Sequence, residues 1–142
     1  MSSGNLTPEA AREELTRRAD AIEGGYELML GYAAQGLHSD RGAANSGQLR
    51  DHLQRFEAAL TGLADTYRDC AKALGVGPAD ALDSFLETLS RDAAATQAAL
   101  RLLLGQPGIS SQMVDNVNAS IHVRALLTDV FVVDEILKAP KS

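Results

Sequence analysis

The clearest pattern in the chain runs from Leu49 to Leu74. There Leu49, Leu53, Phe56, Leu60, Leu63, Tyr67, Cys70 and Leu74 recur at alternating spacings of four and three. Apolar positions at that spacing form one stripe along a helix, so this stretch predicts a long helix packed against neighbours. The same period recurs on either side. Ala11, Leu15, Ala19, Ile22, Tyr26, Met29 and Ala33 predict a first helix that opens at Thr7-Pro8-Glu9 and ends near Gly36. The Thr7 hydroxyl can cap a free backbone N–H and Pro8 fits a first turn, while Glu9, Glu13 and Glu14 suit the positive end of the helix dipole. Leu82, Leu86, Leu89, Ala93, Thr96, Leu100 and Leu103 predict a third helix from about Pro78 to Leu104.

The breaks between these stretches carry their own signals. Gly75-Val76-Gly77-Pro78 ends the second helix sharply, with Gly75 suited to a left-handed residue after a helix. So short a link makes the second and third helices antiparallel neighbours. Asn45 or Ser46 is expected to cap the second helix. Gly105-Gln106-Pro107-Gly108 is another stop, after which Ser110 or Ser111 caps a last helix reaching about Leu137, before Pro140. The expectation is an all-α chain, an antiparallel up-and-down four-helix bundle whose helices are each roughly 40 Å long. Residues 1–6 form a flexible lead, 7–139 one domain and 140–142 a flexible end.

Two places depart from single-stripe helices. Gly24-Gly25 lies inside the first helix, where two glycines cost roughly 2 kcal/mol relative to alanine. They mark a bend or, as the favoured reading, a close approach by another backbone. The thin, alanine-rich middle of the third helix (Ala93 to Ala95, Ala98, Ala99) is a candidate for that neighbour. In the last helix, Leu126, Leu127, Val130, Phe131, Val132, Val133, Ile136 and Leu137 spread most of the way around the wheel. A helix apolar on most sides is covered on most sides. This end is therefore expected to meet another chain, with Leu126, Val130, Phe131, Val133, Ile136 and Leu137 as interface candidates. A short strand through Phe131-Val132-Val133 is the competing reading, and it lacks a partner strand.

Composition narrows the function classes. Hydrophobic residues make up 45% and charged residues 23%, ordinary for a globular protein, and the 4% of aromatics with no Trp makes the core aliphatic. A net charge of −6 argues against nucleic acid and anionic membranes as partners. The N-terminus lacks the basic-then-apolar plan of a secretory leader, and Val130 to Val133 is far short of the roughly 20 residues a membrane span needs. The expectation is a cytoplasmic protein with no membrane insertion. The single cysteine, Cys70, excludes an internal disulfide or a cysteine-cluster metal site, and its place on the stripe predicts a buried thiol.

Chemistry is sparse. A di-metal bundle needs Glu-x-x-His, yet the residues three before His122, His52 and His38 are Ala119, Leu49 and Gln35. No metal or cofactor is expected. There is no phosphate loop and no Gly-x-Ser-x-Gly elbow, and His38, Ser39 and Asp40 are chain neighbours that do not converge on one point. His52-Leu53-Gln54-Arg55-Phe56 departs from the histidine phosphotransfer pattern, with the basic residue one place late and the glycine missing. Two polar groups remain as possible ligand sites. One is Asp115, Asn118 and His122, spaced three and four apart on the last helix. The other is His38, Asp40 and Arg41 in the 36–46 connection. For each, the ordinary reading is a solvated surface. The functional expectation is a non-catalytic interaction module, self-associating or serving as an accessory subunit of a larger complex through its last helix. The alternative is a small-ligand-binding or regulatory bundle, with histidine phosphotransfer third.

Overall fold

Thr7 opens the first helix as its sequence implies. Its Oγ1 accepts the Ala10 N–H at 3.0 Å, with Pro8 in the first turn, and α1 runs Pro8–Ala34. The computed structural model describes residues 6–42 and 46–138, with only the backbone at 46. The expected lead at 1–5, the cap at Asn45 and the end at 139–142 lie outside the described residues, as does the Ser46 side chain. After α1 come α2 (Ser46–Ala59), α3 (Leu63–Leu74), α4 (Ala79–Leu104), α5 (Ser111–Ala119) and α6 (Ile121–Lys138). The described residues are all helix and connection, with no strand, so Phe131-Val132-Val133 is helical.

Among the described residues, six helices stand in place of the four uninterrupted ones expected, because two of the predicted rods are broken. The Leu49–Leu74 stripe is cut at Leu60 to Gly62, where Gly62 takes a left-handed conformation (φ +64°). The stripe stays in phase across the cut. The turn is held by i→i+3 bonds, Leu60 N–H to Glu57 O and Leu63 N–H to Leu60 O, which continue the coiling of the chain. Its carbonyls are taken up from outside. Arg18 Nη1 donates to Ala59 O (3.0 Å) and Thr61 O (2.7 Å), and Gln97 Nε2 donates to Glu57 O (3.1 Å). The second cut is at Ser120. Its extended backbone (ψ 148°) ends α5, and its Oγ accepts the Val123 N–H to start α6.

Packing follows the apolar stripes. α1 lies against α2, α3 and α5, and α4 against α2, α3 and α6. Buried residues of all six helices join in one cluster that includes Ile22, Phe56, Tyr67, Leu89, Val114 and Val130. Burying aliphatic side chains on this scale is the main source of stability, at about 25 cal/mol per Å² of apolar surface. Gly25 does mark a close approach, but the neighbour is Phe56 of α2 and not the alanine-rich zone of α4. A Cβ on Gly25 would sit 2.8 Å from the Phe56 ring and Cβ, while one on Gly24 would meet nothing. Ala93 and Ala94 instead border a recess beside the Gly62 turn. Gly75 is left-handed (φ +70°) as expected, and Ser110 caps α5 through the Met113 N–H at 3.0 Å. Cys70 is fully buried, its thiol against Ala11 O, and burial pushes it up to about 11. No described helix is long and apolar enough to cross a membrane.

Candidate functional site

In the connection after α1, Asp40 is the polar side chain most fully engaged by the fold. Asp40 is almost wholly buried. Its carboxylate takes Arg50 in a two-pronged pair, Nε to Oδ2 at 2.7 Å and Nη2 to Oδ1 at 3.3 Å, and also accepts the Ile109 N–H at 2.7 Å. The Arg50 guanidinium beside it holds the Asp40 carboxyl below its usual range, against the upward push of burial. Arg50 also donates to Leu104 O and Gln106 O at the end of α4. Ser111 closes the junction: its Oγ donates to Tyr32 O (2.6 Å) and accepts the Leu37 N–H (2.9 Å). Asp40, expected as a ligand residue, is thus a structural pin. Arg41 is exposed at the edge, and its backbone N–H donates to Ser39 Oγ.

A cleft of about 290 Å³ lies beside this junction, between the end of α1 and the start of α5. Ala33, His38, Ser110, Gln112 and Asp115 are among its walls. It brings His38 and Asp115 from the two predicted groups to one place. Asn118 and His122 do not join them. The break at Ser120 separates the predicted row, leaving Asp115 and His122 exposed and Asn118 buried, both atoms of its amide without a hydrogen-bond partner. His122 contributes only its backbone carbonyl, which accepts Thr96 Oγ1 at 3.1 Å. The His52 Nδ1–H donates to Gln48 O in its own helix.

The other candidate surface is α6, and the structure sorts its apolar residues into two sets. Leu126, Val130, Val133 and Leu137, all expected at an interface with another chain, are buried in the protein's own core, as is Val123. α6 packs on α4, α5 and α3, and only Phe131 and Ile136 of the expected six are left on the surface. The outward set is Ile121 (75% exposed), Phe131 (52%), Val132 (40%) and Ile136 (45%). At 100° per residue, Ile121, Ala125, Thr128, Val132 and Ile136 fall on one outward line, opposite the buried stripe. Phe131 flanks that line together with Arg124 and Glu135. Elsewhere the large exposed apolar residues are Leu30, Leu102 and Met113, one to a helix, the ordinary pattern of a protein surface.

No protein-family model, curated protein or solved structure matches the chain.

Two buried acids on α6, absent from the sequence expectations, complete the region. Asp134 accepts the Tyr67 hydroxyl at 3.2 Å, and burial raises its carboxyl despite that bond. Asp129 is 7% exposed, its Oδ2 has no partner, and burial together with the Asp92 carboxyl of α4 pushes it up to about 7. Their signal in the sequence is placement. Within the segment from Leu126 to Leu137, where Thr128 and Glu135 are the other polar residues, Asp129 and Asp134 fall at positions bordering the inward stripe. Among the described residues no group of three or more His, Cys, Asp or Glu side chains is placed to hold a metal ion.

Proposed function

We propose that the protein is a non-catalytic interaction module that self-associates through the outward line of α6. The six helices read as an up-and-down bundle of four rods, two of them broken, with α6 as the outer half of the last. The observation that carries the reading is the exposed line Ile121, Val132 and Ile136, with Phe131 at its flank, on a helix whose other face is already in the core. Such an outward set of apolar residues is what a partner helix would bury. A second copy fits its charges. Arg124 lies near one end and Glu135 near the other on the same flank. Two copies of α6 crossing antiparallel about a two-fold axis near Thr128 would then bring each Arg124 within reach of Glu135 of the second copy. A helix of 18 residues, about 27 Å long, offers a small interface, so the association is weak and concentration-dependent.

The test is Val132→Lys with Ile136→Lys, followed by native mass spectrometry and sedimentation over a range of concentrations. Wild type should reach multiples of 15.0 kDa while the variant stays at one. An unchanged mass distribution in the variant would remove the reading. The cleft walled by His38 and Asp115 favours a second reading, a small-ligand site. In that case a small molecule should accompany the purified protein and be lost on His38→Ala, with assembly unaffected.

A further inference from the structure

The two adjacent glycines inside α1 do different things. Gly25 makes room for Phe56 of α2, whose ring would meet a Cβ at 2.8 Å. Gly24 makes room for nothing in the protein, since a Cβ there would find no heavy atom within 4 Å. Glycine inside a helix costs stability relative to alanine, so packing does not account for Gly24. What it borders is a cleft of about 290 Å³ between α1 and α2. Arg17, Asp20, Ala21 and Gly24 wall this cleft from α1, at the three- and four-residue spacings that share a helix face. His52 and Arg55 wall it from α2. The Gly25–Phe56 contact, one residue along from Gly24 and from Arg55, fixes how closely the two walls stand.

The cleft carries charges of both signs. Arg17 pairs with Glu14 through Nη1, and Arg55 with Asp51 through Nη2 (2.9 Å), each within its own helix. A guanidinium has several further N–H donors, and those remain for the cleft. Asp20 makes no ion pair among the described residues, although two guanidiniums line the same cleft. The His52 ring spends its Nδ1–H on Gln48 O (3.0 Å), so the uncharged ring offers Nε2 as an acceptor. Opposite charges that line one cleft without closing on each other are complementary to a ligand that carries both signs. Size sets a limit as well. Drug-sized ligands occupy roughly 300–1,000 Å³, so this cleft suits a smaller molecule. We propose that the α1–α2 cleft binds a small zwitterion of the size of an α-amino acid. Its ammonium meets Asp20 and His52, its carboxylate meets the guanidiniums of Arg17 and Arg55, and its body lies over Gly24. None of these walls belongs to α6 or to the His38 cleft, so the site stands apart from self-association.

The test is an amide NMR titration of the full chain with each of the protein L-α-amino acids, up to about 10 mM. At least one should move the amides of residues 17–24 and 52–55 and reach saturation. For that amino acid, the matching acid without the ammonium and the matching amine without the carboxylate should each bind about tenfold more weakly or worse. Asp20→Asn and Arg55→Ala should weaken the amino acid itself by about the same factor. Gly24→Leu should abolish binding. Gly31→Leu, at a second open position of the same helix, should leave it unchanged, as should His38→Ala at the other cleft. The proposal is overturned if no amino acid saturates these amides, or if Gly24→Leu binds as wild type does. It is overturned equally if acetate or inorganic phosphate binds as well as the amino acid, because the cleft would then be a simple anion site. Asp20 and Arg55 are exposed, so their variants keep the test decisive even if Gly24→Leu folds poorly.

Discussion

The junction around Asp40 and the seam along α6 both bury an aspartate, and they treat it in opposite ways. At the junction every polar atom of Asp40 has a donor: a guanidinium on one side and a backbone N–H on the other. At the seam Asp129 is also almost wholly buried and leaves an oxygen unmatched. The surfaces differ in the same sense. The junction has exposed polar residues, His38, Gln112 and Asp115, along its cleft, whereas α6 turns Ile121, Phe131, Val132 and Ile136 to solvent. A buried charge whose partners are all supplied contributes to the fold, and removing one partner is costly. A buried acid with an unmatched oxygen and an apolar line without cover are both losses to stability that the fold alone does not explain. That contrast is the reason for reading α6, and not the histidine-bearing loop, as the functional face.

The sharpest way to widen the contrast is Arg50→Ala. It strands Asp40 and frees the carbonyls at the end of α4, and is expected to cost about 3 kcal/mol in chemical denaturation at pH 7. Asp129→Asn should act in the opposite direction. At pH 8 it removes a buried negative charge and is expected to stabilise by roughly 1–3 kcal/mol, with little change at pH 5, where Asp129 already holds a proton. The pH profile of thermal unfolding then separates the two aspartates in the wild type. Asp40 is lowered by Arg50, so its contribution is present above the ordinary aspartate range and is lost as pH falls through its folded value. Asp129 is raised, so its effect runs the other way, stability declining toward pH 7. The smallest expected effect on stability is at Val132→Lys with Ile136→Lys. Both side chains are half-exposed and lysines suit the C-terminal half of a helix, so the change should be about 0.5 kcal/mol or less. If instead this variant unfolds, the outward line belongs to the core and the comparison fails.

Local chemistry made much of the fold legible. Thr7, Ser110 and Gly75 each perform the terminal role their residue type implies, and the inward stripes of α2 to α4 follow the predicted spacing with Leu82 only partly buried. α1 instead buries Gly25 and Tyr32 where Tyr26 and Ala33 were expected, and leaves those two partly buried. The two breaks escaped for a physical reason. At Leu60 to Gly62 a short i→i+3 turn preserves the phase of the stripe, so periodicity continues through a helix that does not. At Ser120 a lone serine in a polar stretch caps α6, and serine is equally at home inside a helix. The site fared less well because burial depends on tertiary partners. The sequence marks α6 as apolar on most sides, but only packing on α4 and α3 divides Val130 and Val133 from Val132 and Ile136. The same packing turns Asp40 from a candidate ligand into a pin through Arg50 and Ile109, and buries Asn118 apart from Asp115 and His122.

The most direct test of the reading of α6 is sedimentation equilibrium of wild type and the Val132→Lys, Ile136→Lys double variant from low micromolar to about 1 mM. The account predicts a concentration-dependent mass above 15.0 kDa for wild type and a monomer throughout for the variant, with matching thermal unfolding. A wild-type monomer over the whole range, or an assembly that survives both lysines, would contradict it.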